Sequence, residues 1–206
     1  MAQRPWHPAV AAAPEPATLP VSGISAHEFW GGVFGRVAPV EVEIGAGRGA
    51  FLFAAAVAAP DRNFFAIENS SSHAVRLRHE AEARGLANVR VLRADATCVV
   101  ASLIPAESVA AYHVYFPDPW WKRRHHRRRL FTAAFAAALA RTLIRGGRLY
   151  FATDVAPYFG AVTALLAAQL EPDDAPRPLA VVTRFEHKAL SHGSGIHSAS
   201  FRRPLL

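Results

Sequence analysis

The chain has 206 residues, 51% of them apolar, one cysteine and a formal net charge of +7. That length suits one domain with a full core and excludes two large ones, while the lone Cys98 excludes an internal disulfide and a multi-cysteine zinc site and makes a reducing, cytoplasmic setting the default. The longest apolar run, residues 50–59, is ten residues of mostly alanine, against the ~18 or more that a membrane-spanning helix needs, so no span is expected.

Pro5, Pro8, Pro14, Pro16 and Pro20 break up any secretory signal, and residues 1–22 read as a disordered Ala/Pro-rich arm ahead of one domain over 23–206. Residues 40–44 alternate apolar and charged side chains like a strand, meet Gly45-Ala46-Gly47-Arg48-Gly49, and continue into an Ala/Phe/Leu helix to about Ala59. The pattern then predicts a strand over 63–67, a helix over 70–84 closed by Gly85, and strands over 89–92 and 109–116. A helix over 131–144 stopped by Gly146-Gly147 follows, then a strand over 148–153. Repeated βα alternation implies an α/β fold with a parallel sheet and helices on both faces. Cys98 is expected to be a buried thiol.

In such sheets ligands gather beyond the C-terminal ends of the strands. The polar residues Gly45 to Gly49, Glu68, Asp95, Asp118 and Asp154 follow five successive predicted strands, which places them at one edge. Gly45, Gly47 and Gly49 allow a tight turn and close approach of backbone to a ligand, and Glu68 is placed to accept both hydroxyls of a ribose, so an adenosine cofactor is implied. The nicotinamide fingerprint would put its third glycine where Ala50 stands. Glu43, two residues before Gly45, suits the ammonium of a methionine moiety and would repel a pyrophosphate, so S-adenosylmethionine fits better than a dinucleotide. Asp95 either accepts from the adenine amino group or shapes a turn.

Residues 122–129 hold six Lys/Arg and two His, and without those six charges the chain would carry only +1. A patch this local reads as a phosphate-binding surface. Directly before it stand Trp120, Trp121 and Asp118, the last between Pro117 and Pro119, each of which fixes its own φ and biases the preceding residue toward extended geometry. His125, His126, His187, His192 and His197 lack a helical i, i+4 pair or a carboxylate partner, so no metal site is expected.

Val42-Glu43-Ile44-Gly45-Ala46-Gly47-Arg48-Gly49, Ala66-Ile67-Glu68, Asn88 to Ala96, Phe116-Pro117-Asp118-Pro119-Trp120-Trp121-Lys122, Ala152-Thr153-Asp154 and Thr183-Arg184-Phe185-Glu186 together resemble the ordered motifs of the bacterial tRNA (guanine-N7-)-methyltransferase family. Trp30 with Phe34-Gly35 resembles its lead-in. The resemblance covers about residues 28–203. It implies a Rossmann-like class I methyltransferase with a seven-stranded, mostly parallel sheet, transferring a methyl group from S-adenosylmethionine to N7 of a guanosine, guanine-46, in the tRNA variable loop. Carried over by position, Glu43, Gly45, Gly47, Glu68, Asp95 and Asp118 would bind the cofactor, with Asp118 also catalytic. Lys122, Asp154, Thr183, Arg184, Phe185 and Glu186 would contact RNA or the target base. The family usually has Lys at position 184 and an Arg-Gly and Gly-His pattern beyond; here His187-Lys188-Ala189 and Ser191-His192-Gly193 stand instead. The alternatives are a class I methyltransferase of another RNA or a protein, and a noncatalytic RNA-binding protein that keeps the fold. The expected state is a cytoplasmic monomer, with a homodimer as the alternative.

Overall fold

The computed structural model describes residues 25–120, 123–178, 191 and 195–206; the arm expected over 1–22 lies outside them. In chain order the elements are α1 (Ala26–Phe34), β1 (Val40–Ile44), α2 (Ala50–Ala58), β2 (Asn63–Glu68), α3 (Ser71–Ala83), β3 (Val89–Arg93), α4 (Ala96–Ser102) and β4 (Val109–Tyr115). A short 3-10 helix (Arg123–Arg128) precedes α5 (Ala133–Thr142), β5 (Leu143–Thr153), α6 (Ala156–Ala167), β6 (Glu171–Asp173) and β7 (His197–Arg202). The strands form one sheet in the order β3-β2-β1-β4-β5-β7-β6. β1 to β5 pair in parallel, and β7 runs antiparallel to both β5 and β6. The chain direction of the winding reverses between β1 and β4, so the crevice of this α/β sheet opens beyond the C-terminal end of β1.

Both faces of the sheet are covered. α2 and α3 pack on one face around Phe51, Leu52, Phe64 and Leu77, and α1, α4, α5 and α6 pack on the other around Trp30, Tyr112, Leu139 and Phe151. This double cover changes the meaning of the alternation in β1. A half-exposed strand would put Glu41 and Glu43 in water, but all five β1 residues are buried.

The strands and helices expected from the pattern are present to within a residue or two except at one place. The helix expected over 131–144 ends at Thr142, and β5 already begins at Leu143. The Thr142 hydroxyl meets Tyr112 Oη of β4 at 2.8 Å, and its carbonyl accepts from the Ser108 N–H, so the helix end is drawn into the sheet. Gly146 and Gly147 do not cap a helix. They lie in an irregular stretch of β5, where the register moves from Val109↔Leu143 to Ala111↔Arg148. Gly146 has φ +73°, and a side chain on Gly147 would stand 3.1 Å from the Ala110 carbonyl.

α1, α4 and α6 were not foreseen as helices. α1 carries a legible start signal, a capping box in which Ser25 Oγ accepts from the Glu28 N–H and the Glu28 carboxylate accepts from the Ser25 N–H. Its last carbonyls, Val33 and Phe34, accept from the Arg90 guanidinium of β3, which no local pattern announces.

The third glycine of the turn after β1 is a packing residue. Gly49 has φ +77°, and a Cβ there would lie 2.4 Å from Phe53 and 2.6 Å from Leu77. Gly49→Ala is expected to destabilise the fold by about 2 to 4 kcal/mol, combining left-handed strain with overpacking. Chemical denaturation checks this, and Gly45→Ala, whose Cβ would meet nothing within 4 Å, serves as the comparison for strain without the clash.

Candidate active site at the carboxyl edge of the sheet

The turn after β1 is built by its own backbone. The Gly45 N–H donates to Ile67 O at 2.9 Å and the Gly49 N–H to Ala46 O at 2.8 Å, with Gly45, Gly47 and Gly49 all at positive φ. A Cβ on Gly45 would meet nothing within 4 Å, and one on Gly47 would meet only Gly45 O, at 3.9 Å, among the described residues. The first two glycines therefore leave room at the crevice for a ligand to approach the backbone, while Gly49 seats α2 against α3. The third-glycine packing role belongs to Gly49 itself and not to position 50.

Glu68 ties this turn to the next one. Its Oε2 accepts from the Gly47 N–H at 2.9 Å and its Oε1 from the Ser70 N–H at 2.8 Å, so the buried carboxylate is fixed in orientation while each oxygen retains a further lone-pair site. Glu43 is equally buried, but its Oε2 has no hydrogen-bond partner among the described residues. Burial first, and the neighbouring Glu68 charge second, push the Glu43 carboxyl up to about 8, against the Leu52 N–H, which favours the ionised form. An ammonium group placed here would find one carboxylate in need of a cation and a second close by. Together with the glycine cradle, the donor set fits the methionine and ribose ends of S-adenosylmethionine.

Asp95 follows β3 as the N-cap of α4. Its Oδ1 accepts from the Thr97 N–H at 2.7 Å and from the Thr97 hydroxyl at 2.5 Å, and the hydroxyl bond above all holds its carboxyl below the usual range. Asp118 and Asp154 are exposed just past β4 and β5. Because Ile44 pairs with Ile67 and Val114, Glu68 with Arg93, and Tyr115 with Ala152, the ends of five strands bring Glu43, Gly45, Gly47, Glu68, Asp95, Asp118 and Asp154 to one edge. Lys122, Thr183, Arg184, Phe185 and Glu186 lie outside the described residues.

The turn that carries Asp118 is strained. Phe116 has φ +52° and Trp120 φ +46°, a conformation that side-chain-bearing residues hold only where their surroundings enforce it. The Phe116 N–H donates to Ala152 O at 2.8 Å, and the Pro119 carbonyl accepts from Arg129 Nε at 2.8 Å. The Arg128 guanidinium lies 5.0 Å over the Trp120 ring. Two arginines of the basic run therefore face the turn. Trp120 is engaged by Arg128 and, edge-on, by His125 at 5.8 Å between ring centroids.

Sequence reasoning missed a buried polar chain on the same face of the sheet. His113 of β4 is wholly buried, stacked at 5.3 Å on Tyr150, with Nε2 2.8 Å from Glu41 Oε2 and Nδ1 3.0 Å from Tyr115 Oη. Burial outweighs Glu41 and lowers the His113 pKa, so the ring is neutral, donating from Nε2 to Glu41 and accepting from the Tyr115 hydroxyl. Burial would raise Glu41, but His113 and Arg62, the latter at 2.9 Å, prevail and keep it ionised. A cavity of about 330 Å³ lies beside this chain, near the starts of the strands, walled by Glu41, Arg62, Phe64, Arg148 and Tyr150. Cys98, expected to be buried, is exposed on α4, whose inward positions are Ala96, Val99 and Val100. Among the described residues no three His, Cys, Asp or Glu side chains converge as a metal site, and no helix is long and apolar enough to cross a membrane.

Comparison with known proteins agrees with this geometry. The family described as "Putative methyltransferase" matches residues 37–199. The chain is 41% identical over 178 residues to the tRNA (guanine-N(7)-)-methyltransferase of Bordetella parapertussis, covering 82% of this chain and 69% of that protein. It is 35% identical over 180 residues to the protein of the same name from Polaromonas sp. strain JS666, covering 82% and 73%. Among solved structures, the 16S rRNA methyltransferase KamB superposes with a TM-score of 0.61 at 17% identity, over 83% of this chain and 90% of that one. The aminoglycoside resistance methyltransferase NpmB1 gives 0.55 at 16%, over 80% and 87%. These two show the fold alone.

Sheet order, glycine cradle and carboxylate edge define a class I, S-adenosylmethionine-dependent methyltransferase. Within that class, the length and level of identity to its curated relatives place the chain in the tRNA (guanine-N(7)-)-methyltransferase family.

Glu43 makes folding and binding depend on pH. Its pKa in the fold, about 8, lies above the ordinary 4.5, so the folded protein binds the extra proton between those values and stability falls as pH rises through that window. Melting curves of Glu43→Gln are expected to lose this component, narrowing the deficit of the wild type at pH 8 and above. A bound cation favours ionised Glu43, so wild-type affinity for S-adenosylmethionine should rise toward pH 8 with release of a proton, measurable by calorimetry in buffers of different ionisation enthalpy.

Proposed function

We propose that the protein methylates N7 of a guanosine in the tRNA variable loop, at position 46, using S-adenosylmethionine. The observation that carries this reading is the juxtaposition at one sheet edge of a glycine cradle with an unsatisfied carboxylate and a strained turn that presents Asp118 at the head of a basic run. The names of the curated relatives support the substrate.

Glu43 would face the ammonium, Glu68 the ribose hydroxyls and Asp95 the adenine end. Bound there, S-adenosylmethionine supplies an electrophilic sulfonium methyl group. Guanine N7 has an available lone pair and no proton, so the chain must align the base and needs no general base. Asp118, as a fixed carboxylate, would offset the positive charge that N7 methylation creates and would help hold the methionine end. Asp154 or Glu186 would accept from the NH donors of the guanine Watson-Crick edge, while Lys122, Thr183, Arg184 and Phe185 would complete the RNA side. The working unit is a cytoplasmic monomer whose single catalytic domain spans 23–206. The altered motif after Glu186 motivates a second reading, a methyltransferase of the same class acting on another RNA or a protein.

Mass spectrometry of nucleosides from tRNA incubated with protein and cofactor is expected to show 7-methylguanosine in the variable loop; methylation at another atom or macromolecule selects the second reading. Asp118→Ala should lower turnover by about a hundredfold or more while leaving tRNA affinity near wild type, because base positioning and phosphate contact are separate. Glu68→Ala should weaken cofactor binding by about 1.5 to 3 kcal/mol, read by calorimetry. Neutralising Arg124 and Arg127 should weaken tRNA binding and flatten its salt dependence through lost counterion release. An unchanged slope over a salt series would remove the phosphate role of the run.

A further inference from the structure

The basic run does not act as one uniform phosphate surface. Arg129, its last member, donates from Nε to Pro119 O at 2.8 Å, and its guanidinium lies 5.1 Å from the centroid of the Tyr158 ring. Tyr158 is a buried residue of α6, packed edge-on against Phe151 of β5, so its ring is a fixed platform. The carbonyl that Arg129 grips belongs to the residue after Asp118, inside a turn whose two ends, Phe116 and Trp120, are both at positive φ. The sheet restrains the first end through Phe116 and Ala152. The far end is held by Arg129 and, through Trp120, by Arg128.

We propose that Arg129 is a positioning residue: clamped between the Tyr158 ring and the Pro119 carbonyl, it holds the strained turn that presents Asp118. This rests on the methyl-transfer reading given above. A planar guanidinium placed over a ring aims its N–H at a carbonyl in a direction fixed by its plane; an ammonium supplies the charge without that fixed direction. The clamp joins the phosphate-binding run and the reacting carboxylate into one rigid piece, so that RNA bound along the run is seated at a fixed offset from Asp118.

Arg129→Lys and Arg129→Met in the full chain test this. A phosphate contact would be largely restored by lysine and would act on the tRNA KM; a clamp would not be restored and would act on turnover. The expected result for both variants is a kcat lowered about tenfold or more with a tRNA KM within about threefold of wild type. Hydrogen exchange should accelerate at the amides of Phe116, Asp118 and Trp120 while β1 and β4 stay protected. Wild-type kcat and exchange in Arg129→Lys would overturn the inference, as would a loss confined to KM with a flattened salt slope. Should Arg129→Met fail to fold, Arg129→Lys alone decides. If the wild type methylates no tRNA, the functional reading fails, and the exchange data still decide the clamp: unchanged protection of the turn sinks it.

Discussion

β1 is a central parallel strand covered on both faces, and it nevertheless carries two glutamates, Glu41 and Glu43, on the face packed by α2. Burying a carboxylate without a partner costs several kcal/mol or forces it to take a proton. The fold resolves the two cases differently. Glu41, near the start of the strand, receives Arg62 and the His113 imidazole and remains charged. Glu43, at the crevice end, receives no cation from the described residues, and the charge of Glu68 works against its ionisation. The first arrangement is complete within the protein; the second leaves a buried carboxylate whose chemistry suits a positively charged ligand. That asymmetry along two residues of one strand makes the crevice end of β1 the end suited to a cation.

The edge of the sheet is assembled from small, local exceptions to regular backbone, each with its own cause. Gly45 and Gly47 leave open space where other residues would carry a side chain, whereas Gly49 lets Phe53 and Leu77 close against the turn. Glu68 fastens the glycine turn and the start of α3 with one carboxylate. The Asp118 turn is shaped by prolines in the chain but kept in place by groups from elsewhere: the Ala152 carbonyl of β5 and Arg129, whose guanidinium lies over the Tyr158 ring of α6. Strain at Phe116 and Trp120 is stable because those elements belong to the well-packed core. Glu68 and the glycine turn are therefore held by nearby backbone amides, and the Asp118 turn by long-range packing.

Much of this was legible in the amino-acid sequence. Hydrophobic period, glycine turns and helix stops located β1 to β4, α2 and α3 closely, because those signals are local and short in range. The recurrence of Gly45, Glu68, Asp95, Asp118 and Asp154 after successive strands sufficed to place them at one edge, since parallel βα units bring every strand's C-terminal end to the same side. What the tertiary structure alone decided involved partners far apart in the chain. The alternation of β1 marked a strand and its position set Glu43 at the crevice, but only the covering of both sheet faces shows that Glu41 and Glu43 are buried. His113 carried no motif, and its neutrality follows from complete burial beside a carboxylate 72 residues away. Gly146-Gly147 looked like a helix stop because nothing local revealed that β5 begins four residues after Leu139 and must bulge past Ala110. The arginines at 128 and 129 looked like their neighbours in the run, and only packing against Trp120 and Tyr158 separated them, because charge is a property of the residue while the direction in which it is spent belongs to the fold.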